Sequence, residues 1–592
     1  MALEAAFEAF RATAPSERSI ADLSSIPNEV TLQDINELIR AHGQDDALNT
    51  LRTAQAVLDA RPGLVSNASA PELLTETLSL LADVLKPDLD ATQDGDHTNY
   101  DDLSLRASIG IDTIHLISSQ DGVVLPPAAI IALAAYTNQD DRWSSPDLAE
   151  SAQELLHTAF EDVTSGQRLQ TLILDQILQA LIRPLFSKSR PATVTASGRK
   201  AEFVQPSRYD NLDADAEAKK PWKYQQRYAI TVFGWAVEQI DTETLRKNWH
   251  QFTPVLLTLL DDTSSTPLKL RALAIFQTFW AKCPSEIMRQ TGLSQVFEDA
   301  IFPAVLYLPN LTPEDESVQV LNATYPALLA IVGGIDPDYK TSTPQSGCLD
   351  KYDERQRKLL HRIVREGILT AYEHSGEHIR IVEVLCRQLQ CVVNGMGVLA
   401  VKHLKNMIPM LSAIISDPFA TSHTPSLAAA LDALSAVQAT CWPRIPYYAN
   451  NLIKTLMLCW ISAEEAVEER EGEARKNRPS RVEMTTAADL RGIMDKLTHN
   501  AQMLDAILVA NAADGEEAAA TASSSSDAPA AAGKAARSSA SAGKVPSVTP
   551  GVDGEAEEES PGFRATLAER VQPLVEKHAS LGRLFLTSYE GA

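Results

Sequence analysis

The sequence predicts an all-α chain built of stacked helical pairs, and three observations carry that prediction. Ala and Leu are abundant while aromatic residues make up only 6%, a balance that suits helices and not sheets. Apolar residues recur at i, i+3 and i+4 through most of the 592 residues, and strictly alternating, strand-like runs are nearly absent. A Pro-containing, Leu-rich segment that closes on an acidic turn appears more than once. An ordinary domain takes about 100–200 residues, so the length calls for several domains or one extended repeat array.

From the N-terminus, residues 1–182 form a helical region. Helices are expected at Thr31 to Ala41, Asp46 to Leu58, Pro71 to Leu85 and Ser151 to Ile182, broken by polar or Pro-containing turns. The most apolar run, Val123 to Tyr136, has Pro126 and Pro127 near its start and is too short to cross a bilayer; it reads as a buried helix that opens on proline. Between Leu85 and Leu103 the chain is Asp-rich, but its carboxylates miss the ligand register of a calcium loop, so a solvated loop is expected.

Residues 183–220 are a basic, Pro- and Gly-containing connector. In a chain of net charge −26 this segment is locally positive, and Arg183, Lys188, Arg190, Arg199 and Lys200 are the candidate partner-binding residues, suited to an acidic protein surface. The competing reading is a solubilising loop.

Residues 221–510 are the repeat region. Tyr224, Tyr228, Val232 and Trp235 recur at helical spacing while Ile230, Phe233, Val237 and Ile240 fill the adjoining face, so this helix should be covered on both sides. Trp222, Trp235 and Trp249 are expected in the core. The run Trp249 to Asp262, with Pro254 inside it, leads into a second helix whose stripe is Leu268, Ala272, Ile275 and Phe279; Lys269, Arg271 and Gln277 are placed on its exposed face. The pattern returns around Pro303 and from Val401 to Asp417, where Pro409 to Asp417 matches Pro254 to Asp261 within one residue. A helix with an early Pro, a Leu-rich run, an acidic turn and a second amphipathic helix is a HEAT-type unit, with a period of about 40–47 residues. The fold class is therefore a HEAT/armadillo-like α-solenoid, in which each pair buries its apolar stripe only against its neighbours. At Leu311 to Val320, Thr312 is the expected N-cap and Pro313 the first helical residue, with Glu314, Asp315 and Glu316 at the positive end of the dipole.

Residues 511–562 are an acidic, Ala/Ser-rich stretch read as a disordered linker. Residues 563–592 close the chain with an amphipathic helix, Leu567, Val571, Leu574 and His578 on one side, expected to fold back on the body or grip a partner.

The net charge of −26 and pI near 4.9 repel a phosphate backbone, so no direct nucleic-acid binding is expected. Six cysteines without a CxxC pair read as reduced, buried thiols. Glu4 and Glu8 occupy the place where a secretory signal carries positive charge, and no membrane segment is expected. No P-loop, GxSxG elbow or HExxH occurs. Gly395-Met396-Gly397 lacks the strand-turn-helix setting of a dinucleotide loop, and His374 and His378, beside Glu373 and Glu377, flank Ser375-Gly376, which reads as a turn without a third ligand. No catalytic residue, metal or cofactor is assigned.

Four blocks carry a resemblance: LIRPLFSKSRPATVTASGRK from Leu181, YAITVFGWAVEQID from Tyr228, NWHQFTPVLLTLLDD from Asn248 and GLSQVFEDAIFPAVLYLPNLTPEDES from Gly292. Together they resemble the smallest, second Tti subunit of the triple-T (Tel–Tti–Tti) co-chaperone complex, in a fungal-type version. The match is clearest from Leu181 to Val332 and continues more weakly to Trp460. The resemblance implies a non-enzymatic HEAT/armadillo scaffold bound to the two larger triple-T subunits. It further implies indirect work with the heat-shock chaperone and RuvB-like ATPases to mature phosphatidylinositol-kinase-like kinases, in cytoplasm and nucleus. The rival reading is a trafficking or nuclear-transport adaptor built of the same helices.

Overall fold

The computed structural model describes residues 3–13, 29–66, 71–92, 95–120, 123–161, 165–187, 220–262, 265–335, 338, 351–475, 485–524 and 566–586. Every extended element among them is helical, apart from one isolated bridge between Ala91 and Asp96. The chain divides into two compact units, Met1–Phe302 and Pro303–Ala592, and the division falls inside the stretch 221–510.

The first unit contains α1 (Glu4–Arg11), α2 (Leu32–His42), α3 (Ala47–Ala60), α4 (Gly63–Ser66), α5 (Pro71–Leu85), α6 (Tyr100–Ser118), α7 (Pro127–Ala134) and α8 (Pro146–Ala159). It continues with α9 (Ser165–Thr171), a π-helical segment (Leu172–Ile182), α10 (Arg183–Phe186), α11 (Tyr228–Gln239), α12 (Thr242–Asp261), α13 (Thr266–Lys282), α14 (Ser285–Thr291) and α15 (Leu293–Ile301). Packing follows chain order: α2 on α3 and α5, α5 on α6 and α7, α7 on α8, α11 on the π segment and α13, α12 on α13 and α15. Helices whose main contacts are with elements a few places along the chain are the packing of a solenoid, where burial comes from near neighbours.

Local chemistry sets these boundaries. The Asp241 carboxylate accepts the Thr244 N–H at 2.7 Å and starts α12, Thr31 and Asp34 form a capping box on α2, and prolines open α7, α8 and α13, where a missing N–H costs nothing. The whole run Tyr228–Val237 in α11 is buried, as its two-sided apolar pattern predicts. Three expectations are corrected. The helix begins at Tyr228, and Pro221–Gln225 is a turn. The stretch Ser151 to Ile182 is not one helix, since α8 starts on Pro146 and ends before Phe160. Lys269 is buried, its ammonium donating to the Leu260 carbonyl; the lysine spans the turn between α12 and α13 and satisfies a carbonyl that the end of α12 leaves open.

The second unit contains α16 (Glu314–Val332), α17 (Glu354–Arg362), a π segment (Ile363–Leu369), α18 (Thr370–Ser375), α19 (Ile379–Met396), α20 (Leu404–Ile415) and α21 (Thr424–Cys441). Then follow α22 (Ala449–Arg475), α23 (Ala487–Ser524), α24 (Leu567–Val575) and α25 (Leu581–Phe585). Again α16 packs on α19, α19 and α20 on α21, α21 and α22 on α23. The stretch Ile379–Ile415 is long and apolar enough to cross a membrane, and 72% of its most apolar window is buried by the unit's own helices, as a core element requires. Gly395 approaches Ile335 so closely that a Cβ would stand 2.5 Å from its Cδ1, and Gly397, at φ 54°, turns the chain out of α19. This pair of glycines is packing and turn chemistry.

Pro313, not Thr312, occupies the N-cap of α16, and Glu314 is its first residue. Pro313 has extended backbone, ψ 143°, so the three acidic residues move one place closer to the positive end of the dipole. The C-terminal helix is two helices, α24 and α25, with Leu567 and Val571 buried but His578 exposed. Both pack on α23, and Arg570 donates to Asn450 at 2.9 Å at the start of α22. The terminal segment therefore folds back on its own unit.

Candidate partner-binding site

The candidate basic segment leaves the helix that runs from α9 through the π segment into α10. A π turn widens a helix by one residue per turn and is often found where function needs a locally altered surface. Here its last turn carries Leu178 and Gln179 toward α12, and Arg183 follows on α10. Arg183 is exposed and borders a cleft of about 490 Å³, faced by Gln179, Phe186, His250, Pro254 and Val255. Pro254 has no N–H, so the His250 carbonyl at the cleft lacks its ordinary helical partner. Lys188, Arg190, Arg199 and Lys200 lie outside the described residues.

The two ends of the connector meet. It leaves at Ser187 and returns at Lys220, and the rings of Phe186 and Trp222 stack with centroids 4.9 Å apart and planes 11° from parallel. Trp222 is fully buried although it sits in a turn. On the return, Lys220 and Lys223 both reach the buried Asp262 carboxylate, at 3.0 and 3.4 Å. An aromatic stack and a buried ion triad thus close the neck from which the basic segment departs. Of the three candidate core tryptophans, Trp222 and Trp235 are buried and Trp249 is half-buried; Trp249 lies in the polar first half of α12, beside Asn248 and His250.

In the second unit, His374 lies in the last turn of α18 and His378 occupies the N-cap position of α19 without a side-chain capping bond, facing Glu314 at 3.5 Å. Among the described residues no group of three or more His, Cys, Asp or Glu side chains is arranged to hold a metal ion. A second histidine pair escaped the sequence reading because it is 42 residues apart: His361 Nδ1 and His403 Nε2 share a proton at 2.8 Å. Burial, the neighbouring His361, Lys402 and Arg365 hold His403 down to about 4, and burial with Lys402 and Arg365 also lowers His361. The folded state keeps His403 neutral while the unfolded chain takes up a proton near 6.5, so the stability from this group is full above about pH 6.5 and declines as pH falls toward 4. Each tenfold difference in proton affinity is worth about 1.4 kcal/mol, and solvent on the His361 side screens part of it, so the loss is on the order of 2 kcal/mol. Denaturant titrations at about pH 7 and 4.5 should show this loss in the parent and a smaller one in His403→Gln; equal losses refute the assignment.

Among the described residues, a strandless stack of helical pairs packed on their neighbours in chain order is a helical-repeat scaffold. The Tti2 family model matches residues 129–422, a span that contains the neck, the cleft, α11 to α13 and the second unit as far as the start of α21. The chain belongs to the Tti2 family, and it is accordingly a scaffold-type subunit of the triple-T co-chaperone complex. Among solved structures it is similar to Kap121p bound to Pho4p, at 10% identity and TM-score 0.29, over 84% of this chain and 55% of that one. It is similar also to Kap121p alone, at 12% identity and TM-score 0.30, over 87% and 54%. The chain thus spans little more than half the length of either.

Proposed function

We propose that this chain is the non-enzymatic scaffold on which the triple-T complex holds its two larger subunits. With the heat-shock chaperone and RuvB-like ATPases acting indirectly, the complex matures and stabilises phosphatidylinositol-kinase-like kinases of the TOR and DNA-damage checkpoint types, in cytoplasm and nucleus. The observation that carries this reading is the family match across the helices flanking the neck. The basic segment beginning at Arg183 is the proposed contact with a larger subunit, and its charge complements an acidic surface in an otherwise negative protein.

Depletion of the chain in cells should lower the steady-state levels of TOR-type and checkpoint kinases together; unchanged levels count against the maturation role. The contact is tested separately by Arg183→Glu, Lys188→Glu and Arg190→Glu in one chain. Co-purification of the larger subunits should fall about tenfold, equivalent to roughly 1.4 kcal/mol, and undiminished recovery removes the basic segment from the interface.

A further inference from the structure

A second pocket in the first unit, of about 380 Å³, lies between the loop Asp140–Trp143, the turn before α11 and the first turns of α13. Four cations converge on it, Arg142, Lys223, Arg227 and Arg271, against two carboxylates, Asp140 and Asp141. That excess is out of keeping with a chain of net charge −26, and three separate elements supply it.

The cations are not equally committed. Lys223 is bound to Asp262 at 3.4 Å. Arg142 pairs with Asp96 at 3.5 Å and lies over the Tyr100 ring. Arg227 uses its Nε on the Lys223 carbonyl at 3.0 Å. Arg271 makes no hydrogen bond among the described residues, and its Nε is buried without a partner. A guanidinium offers five donors and is seldom left unpaired when buried. Asp141 does not relieve it, because that carboxylate accepts the Thr231 hydroxyl at 2.5 Å and only offsets the Arg271 charge through space. Gly234 on α11 clears the space: a Cβ there would stand 3.0 Å from Arg271 Nη2.

We propose that this pocket binds a carboxylate-bearing segment of a partner polypeptide, the carboxylate held between Arg271 and the terminal amino groups of Arg227. An adjoining apolar side chain would rest on Tyr224 and Leu268, which also line the pocket. Planar guanidinium matches planar carboxylate in a two-point contact. Arg142 is turned to Asp96, and Lys223 shares Asp262 with Lys220, so with Asp140 and Asp141 counted the pocket and its immediate partners keep an excess of one positive charge, which suits a singly charged group better than a phosphate dianion. This site is distinct from the basic connector, and it stands whether or not the kinase-maturation reading holds.

The test uses the full chain and a fluorescein-labelled peptide carrying glutamates around one tryptophan, with its glutamine counterpart, followed by fluorescence anisotropy. The glutamate peptide should bind saturably, weaken as salt rises, and lose at least tenfold in affinity with Arg271→Met. Arg183→Glu should leave it unchanged and Asp140→Asn should tighten it. Equal binding of both peptides, or full affinity in an Arg271→Met chain of unaltered melting temperature, overturns the proposal. If Arg271→Met melts early, Arg227→Gln, in the turn outside any helix, reads the same site, and unchanged affinity there overturns it too. Loss on Arg183→Glu alone moves the site to the connector and refutes it, and displacement by inorganic phosphate where acetate has no effect refutes the carboxylate assignment.

Discussion

Replacing Trp222 by alanine is expected to destabilise the first unit by about 3–5 kcal/mol, the usual range for removing a buried large aromatic side chain. The indole is fully buried in a short turn held by three backbone hydrogen bonds, from Lys223 N–H to the Lys220 carbonyl and from Gln225 and Gln226 N–H to the Pro221 carbonyl, so the ring is what ties that turn to the rest of the unit. It stacks on Phe186 at 4.9 Å, and offset ring pairs of this kind contribute about 0.5–1.5 kcal/mol beyond area burial. Losing the ring removes the connector's two-ended closure as well as core volume. Two readouts separate these effects. Denaturant midpoints should fall for Trp222→Ala and recover most of the loss in Trp222→Phe, which keeps a stacking ring. Proteolysis within residues 188–219 should accelerate in the alanine chain beyond what its lower global stability explains. A Trp222→Ala chain within about 1 kcal/mol of the parent would show that the neck does not depend on this ring.

What the sequence made legible, and what it hid, divides along sequence separation. The helices are written locally: the apolar spacing of α11, the Asp241 cap and the prolines opening α7, α8 and α13 all lie within a turn of the element they define. Trp222 sits at helical spacing from the α11 face yet lies off the helix, because its true neighbour is Phe186 across the connector. Lys269 and Arg271 looked like the exposed face of α13. They are one turn from the α12–α13 corner, where Lys269 caps the end of α12 and Arg271 enters a pocket walled by residues as distant as Asp140. Charge in a sequence reads as exposure, and only the fold shows a charge turned inward. The same holds for His361 and His403, brought together by two segments with no shared local pattern. Of the candidate contact residues, Arg183 stands exposed at the cleft, where its position at the end of a helix running into Pro184 could be read from the sequence, while the other four fall outside the described residues.

The largest electrostatic effect is expected at Asp262, which the sequence offers only as the acid of a repeat turn. Its carboxylate is 2% exposed and faces Lys220 and Lys223, themselves 16% and 11% exposed, at 3.0 and 3.4 Å. Breaking a buried ion pair by removing one partner costs about 3–5 kcal/mol, because the surviving charges stay desolvated without compensation. Here two ammonium groups would lose their shared carboxylate by one substitution, so Asp262→Ala should fall within that range. Asp262→Asn keeps shape and one acceptor but not the charge, and should lose less. The decisive comparison is the triple change Asp262→Leu, Lys220→Met, Lys223→Met. If the aspartate serves only to neutralise the lysines, apolar replacement of all three should restore most of the denaturant midpoint, as buried ion clusters often allow. If the triple chain stays as weak as Asp262→Ala, the carboxylate holds the returning connector by geometry that apolar packing does not reproduce. An Asp262→Ala chain with an unchanged midpoint would refute the ion triad as a closure of the neck.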